Sequence, residues 1–149
     1  MNKIDQQLSR FKSLDIWEVT RAVLNNRKAE IVDLVTGQLW RGETKTGRTA
    51  EHTMTPVSRA YVEMKQSLGR IDTSILPHVN LYNEGDFYEG MTAVIKKELI
   101  EIFSQDSKAS ELEKQFTSQI YELNPESMAE LKMLILPEIL TEIRKRLGY

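Results

Sequence analysis

The chain has 149 residues, with 20 basic against 22 acidic side chains and a formal net charge of −2. That length predicts one domain spanning residues 1–149, with enough chain to bury a core. The near-balanced charge disfavours an overall basic nucleic-acid binder. The lack of cysteine excludes disulfides, thiolate metal ligands and thiol nucleophiles. No uncharged apolar run reaches the roughly 18 residues of a membrane span, so we expect a soluble protein with no membrane partner.

The first forty residues are predicted to be helical. Ile4, Leu8 and Phe11 recur at helical spacing. Asp15 and Glu18 have the spacing of a capping box, which predicts that a second helical stretch begins there. The apolar stripe that continues this pattern consists of Ile31, Leu34, Val35 and Leu39. Whether the Asn-Asn pair at 25–26 interrupts the helix stays open at this point.

Residues 41–54 are predicted to be a flexible loop, because they are polar, contain two glycines and show no periodicity. Their number is about the limit for a structureless loop in a compact domain, which indicates a binding or disordered segment. Our hypothesis is that this loop orders only in an assembled particle. Pro56, preceded by Thr55 as N-cap, then opens another helix, which Gly69 ends.

The middle of the chain is predicted to be extended, with a short strand at residues 78–82. Residues 91–104 fit either a helix or an antiparallel hairpin turning at Lys97-Glu98, and their β-branched content favours the hairpin. Residues 110–121 are predicted to be helical. Asn124 and Pro125 start a terminal helix that should kink or restart at Pro137. The predicted fold is α+β, with several helices packed on a small, mainly antiparallel sheet.

The clearest group of acids is Glu84, Asp86 and Glu89. Such a cluster can bind a hard cation or supply an acid–base pair, which leaves a small metal-assisted enzyme as one alternative. The simpler interpretation is a solvated turn, made tight by Gly85 and Gly90, in which Asp86 caps the following turn. No phosphate-binding loop, zinc motif or nucleophile elbow accompanies the acids.

Basic residues are concentrated in two places, between Arg41 and Arg48 and in the run 144–146. A nucleic-acid-binding regulator would use them as phosphate contacts, which is the second alternative. The other interpretation is a solvated loop and a helix end whose cations compensate the dipole. With the acidic overall balance, we expect no specific nucleic-acid partner. Trp17 and Trp40 lie on helical stripes, which favours core packing or a subunit contact over a ligand cage.

The order of several short motifs resembles that of a family of small virion proteins of tailed bacteriophages and prophages. Those proteins carry QLYRG, YSP, GDFY, S-x-D-x-K, IFGL and LLPxL motifs in this order. The corresponding segments here are Gln38–Gly42, Thr55–Pro56, Gly85–Tyr88, Ser104–Lys108, Ile120–Leu123 and Leu136–Leu140. The resemblance spans residues 25–147, and Gly85-Asp86-Phe87-Tyr88 is its most distinctive part. The chain departs from the pattern at Asn83-Glu84, where Asp-Thr is usual, and at Tyr121-Glu122, where Phe-Gly is usual.

The resemblance implies a non-enzymatic subunit of a ring in the phage neck, head–tail connector or tail-completion region, as in the crAss-like phages. It implies no catalytic residue, cofactor or metal. The implied partners are further copies of the chain, the portal, and other connector and tail proteins. The expected location is the virion, after synthesis in the cytoplasm of the bacterial host. The candidate interface or motif residues are Trp40, Arg41, Gly85, Asp86, Phe87 and Tyr88.

Overall fold

A computed structural model describes residues 2–48, 56–70, 81–82 and 84–149. The described part is 65% helical, with seven α-helices and two small two-stranded antiparallel sheets, which confirms the predicted α+β class. The helices are α1 (Lys3–Lys12), α2 (Ile16–Asn26), α3 (Lys28–Trp40), α4 (Pro56–Ser67), α5 (Asp86–Glu89), α6 (Ala109–Phe116) and α7 (Pro125–Leu147). The strands are β1 (Glu43–Thr44), β2 (Gly47–Arg48), β3 (Met91–Ile95) and β4 (Ile100–Ser104). A 3-10 helix covers Ser118–Tyr121.

The N-terminal helices begin where side chains satisfy free backbone N–H groups. The Asn2 side chain accepts from the Asp5 N–H at 2.8 Å, and the Asp15 carboxylate accepts from the Glu18 N–H at 3.1 Å. The predicted cap at Asp15 is therefore confirmed, while the box at Asn2 was not foreseen. The helical run divides at Arg27, one residue after the Asn-Asn pair.

The core lies between α2, α3, α7 and the β3–β4 hairpin. The hairpin is antiparallel, with Met91 opposite Ser104 and Ile95 opposite Ile100, which confirms the hairpin interpretation. Its β3 strand packs on α3 and α2, while α7 packs on α2 and α3. The side chains with almost no exposed surface are mostly on these elements: Val19, Ile31, Val35, Gln38, Leu39, Ile120, Ser127 and Leu131.

The terminal helix begins as predicted and runs through Pro137 without a restart. Asn124 accepts from the Ser127 N–H at 2.8 Å, and Pro125 occupies the first helical position. The helix does not restart at Pro137, because one continuous element covers Pro125–Leu147. Gly148 caps its C-terminus with a positive φ of 87°.

Three predictions for connecting segments differ from the structure. The predicted strand at 78–82 is wrong for its described part, since Leu81 is buried in a left-handed conformation with φ 54°; residues 78–80 lie outside the described residues. The predicted helix 110–121 divides at Thr117, whose φ is 64°. The predicted loop 41–54 contains the β1–β2 hairpin, with Glu43 paired to Arg48, while residues 49–54 lie outside the described part.

Candidate functional site

The Gly85–Tyr88 motif forms a tight helical turn at the end of the β3–β4 hairpin. Gly85 has φ 105°, a conformation that glycine adopts at little cost. Its carbonyl accepts from the backbone N–H groups of Tyr88 and Glu89, both at 2.9 Å. Asp86 is exposed and makes no side-chain cap, so the prediction that Asp86 caps this turn is wrong. Gly85 occupies the N-cap position instead.

Ser104 fastens this turn to the hairpin. Its hydroxyl donates to the carbonyl of Phe87 at 2.8 Å and accepts from the Asp106 N–H at 3.2 Å. Gly90 lies so close to this junction that a Cβ there would be 2.8 Å from Ser104 Oγ and 2.9 Å from the Asp106 nitrogen. A side chain at position 90 therefore does not fit without displacing the junction.

Phe87 points into the core, where it packs with Val35, Leu39, Met91 and Tyr121. A sequence of ring contacts connects the motif with α3. Trp40 and Tyr82 meet edge-on with centroids 5.1 Å apart, and the Tyr82 and Tyr88 centroids are 5.3 Å apart. Such edge-to-face geometry stabilises aromatic pairs. Burial, with Tyr82 nearby, raises the pKa of Tyr88 above its usual value, which keeps its hydroxyl neutral.

The acidic residues near the turn point to solvent. Glu84, Asp86 and Glu89 are all exposed. Within the described residues, no group of three or more His, Cys, Asp or Glu side chains has an arrangement that could hold a metal ion. The part of the chain that is described also contains no helix long and apolar enough to cross a membrane.

Arg41 is held by an ion pair. Its Nη2 lies 3.2 Å from Oε2 of Glu43, and the same carboxylate accepts from the Asn124 amide at 3.2 Å. The neighbouring hairpin is attached to the 3-10 helix, because Lys45 forms an ion pair with Glu122 and the Thr46 hydroxyl donates to Gln119 at 2.6 Å. Arg41 is exposed, but it takes part in a polar network with neighbouring residues of its own chain.

Gln38 is a structural residue that the sequence analysis names only as part of the resemblance. It is fully buried, its amide nitrogen donates to the Glu122 carbonyl, and its amide oxygen accepts from the Asn124 N–H at 3.1 Å. These bonds join α3 to the start of α7. A polar side chain within the apolar stripe of α3 was the only signal, since buried amides need partners.

The structure places several large apolar side chains on the surface. Ile4, Leu8 and Phe11 are all exposed, and α1 has no buried residue. On α7, the exposed fraction is 78% for Met133, 52% for Leu136 and 52% for Leu140. They lie on the side of the helix away from buried Leu131 and Ile139 and half-buried Ile135. Trp17 is also exposed, so core packing of that residue is excluded.

Among the described residues, these exposed apolar rows are the feature most suited to binding another macromolecule, because large exposed apolar patches mark contact surfaces. The Gly85–Tyr88 turn, by contrast, presents mainly Asp86 to solvent and uses its aromatic rings internally. The chain matches no protein-family model, no curated protein and no solved structure.

Proposed function

We propose that this protein is a structural subunit of a tailed-phage particle and assembles as a ring in the neck, head–tail connector or tail-completion region. The motif order Gln38–Gly42, Gly85–Tyr88 and Leu136–Leu140 resembles that of small phage virion proteins, and this carries the phage assignment. The observation that carries the assembly role is the pair of exposed apolar rows on α1 and α7.

A ring requires two different surfaces on each subunit. Identical chains form a closed ring when one patch of each copy binds a different patch of the next and the rotation closes. The rows on α1 and α7 are two such patches on separate elements. In this proposal the protein works through buried interface area alone, and its partners are its own copies, the portal and other connector or tail proteins.

The decisive experiment is mass spectrometry of purified particles from a phage whose genome encodes this chain. We expect the protein in finished particles at a fixed copy number per particle. Native mass spectrometry should give a closed oligomer with that number of subunits. A protein that is abundant in infected cells but absent from particles would contradict a virion role and favour an assembly chaperone.

Two further measurements distinguish the proposal from its alternatives. Charge reversal at Arg41 should leave DNA binding unchanged, whereas a nucleic-acid-binding regulator would lose salt-sensitive binding. Addition of divalent cations should leave the thermal midpoint unchanged. A metal-dependent rise that disappears on replacing Glu84, Asp86 and Glu89 would instead support the metal-assisted enzyme.

A further inference from the structure

We infer that α1 of one copy docks antiparallel on the outer face of α7 of a second copy. This inference rests on the proposed function, since it names the contact between identical subunits. The outer row is defined as Met133, Leu136 and Leu140, and the arm row as Ile4, Leu8 and Phe11. The occupant of the outer row is therefore a second copy of this chain, supplied as a short amphipathic helix.

The two rows have matching spacing. The arm row has intervals of four and three residues, and the outer row has intervals of three and four. Side chains at these intervals form one narrow stripe along a helix, the geometry of a coiled-coil seam. Run antiparallel, the two rows coincide layer by layer, with Ile4 opposite Leu140, Leu8 opposite Leu136 and Phe11 opposite Met133.

One flanking charge pair supports this alignment. Positions flanking an antiparallel seam pair with their equivalents on the other helix, which places Lys12 beside Glu130 of the second copy. Both side chains are exposed, and neither forms an ion pair within the described part of the chain. The surroundings agree with this pair in net sign, because α1 carries Lys3, Arg10 and Lys12 against Asp5, whereas the N-terminal third of α7 carries Glu126 and Glu130 against Lys132.

The attachment of α1 to its own chain also suits a docking arm. α1 contacts α7 of its own chain, and Arg10 donates to the Leu147 carbonyl at 3.4 Å, but none of the α1 side chains is buried by these contacts. Such a helix gains little stability from its own domain, because short helices depend on packing of their apolar face. Docking on a second copy would bury that face and the outer row together.

Cross-linking tests this contact directly, because the natural chain has no cysteine. Chains carrying Phe11→Cys are mixed with chains carrying Met133→Cys and oxidised. We expect a disulfide-linked dimer from the mixture and none from either variant alone. Ile4→Cys in place of Phe11→Cys should link poorly to Met133→Cys, because Ile4 lies at the opposite end of the seam. Absence of the Phe11–Met133 dimer, or equal yields from both mixtures, would overturn the inference.

A matched pair of substitutions provides the second test. Leu136 and Leu68 both have an exposed fraction of 52%. We expect Leu136→Asp to weaken self-association at least tenfold in sedimentation equilibrium, while Leu68→Asp leaves association unchanged. Both variants should keep the wild-type thermal midpoint at protein concentrations where the wild type is monomeric. Equal association of the two variants would contradict docking on the outer row.

Charge exchange then checks the alignment. Lys12→Glu and Glu130→Lys should each weaken association about two- to fivefold, and the double variant should recover it, since exposed ion pairs contribute modestly. Additive losses in the double variant would reject the antiparallel register. If the protein still forms rings in all of these variants, the α1–α7 contact is wrong while the proposed virion role is unaffected. If the Phe11–Met133 dimer forms but the protein is absent from finished particles, the contact is supported and the virion role is contradicted.

Discussion

The Gly85–Tyr88 turn buries its large apolar side chain, whereas the outer face of α7 exposes its large apolar side chains to solvent. In the turn, Phe87 is only 5% exposed and its carbonyl accepts a hydrogen bond from the buried Ser104 hydroxyl. On α7, Met133 is 78% exposed although it is a large apolar residue. The motif that looks most distinctive in the sequence therefore maintains the fold. The surface most suited to binding consists of ordinary aliphatic residues that periodicity alone would place in a core.

The largest expected effect on stability comes from truncating a phenylalanine in the turn, compared with the same truncation on an exposed apolar row. Phe87→Ala should lower the free energy of unfolding by about 3–5 kcal/mol, because it leaves a cavity among packed aromatic and aliphatic side chains. Phe11→Ala removes the same group from α1, where Phe11 is 62% exposed. It should change monomer stability by about 0.5 kcal/mol or less. Urea unfolding at low protein concentration measures both, and similar losses would contradict the assigned positions.

A second mismatch of residue type and place is the buried Lys65 on α4. Burial, with a smaller contribution from Arg70, lowers its pKa from 10.5 to about 8. Between these pH values the unfolded chain holds more protons than the folded one, so stability should rise with pH. The rise is at most about 3.5 kcal/mol at about 1.4 kcal/mol per pKa unit.

Urea unfolding at several pH values from 7 to 10 checks this rise. Lys65→Met should abolish the slope, whereas Lys145→Met, at an exposed position, should retain it. Above about pH 10 the trend should reverse, because the pKa values of Tyr88 and Tyr121 are raised and the unfolded chain ionises first. A slope that survives Lys65→Met would show that another group titrates.

The features predictable from the sequence were those set by neighbours along the chain. The caps at Asp15 and Asn124 each involve a backbone N–H three residues away, so the sequence contains the whole interaction. The β3–β4 hairpin was similarly indicated by β-branched residues in two adjacent runs. The α+β class followed from these local elements.

The features that could not be predicted depend on distant contacts. The amide of Gln38 is satisfied by residues 122–124, more than eighty positions away, and nothing near position 38 specifies this. The helix break at Thr117 has a φ of 64°, but no glycine at this position indicates it in the sequence. Periodicity also shows which residues share a helix face without showing what covers that face, which is why the outer row of α7 went unrecognised.

The smallest effects should appear on adding a single methyl group in each environment. Gly90→Ala should destabilise the protein by about 1–3 kcal/mol, because the new Cβ would lie 2.8 Å from Ser104 Oγ. Gly37→Ala, in α3, meets only Arg41 Nη1 at 3.7 Å. It should stabilise the protein by about 0.5–1 kcal/mol, since alanine loses less backbone entropy in a helix.

Thermal unfolding of the two variants side by side measures this difference in sign. The backbone of Gly90 has an ordinary φ of −75°, so any loss there reflects lack of space and not conformational strain. Adding Ser104→Ala to Gly90→Ala removes the nearest atom and should recover part of the loss, beyond the separate cost of Ser104→Ala. Equal stability of the Gly90→Ala and wild-type proteins would mean that the junction with Asp106 shifts to make room for a methyl group. Position 90 would then tolerate a side chain as readily as an exposed helix position does.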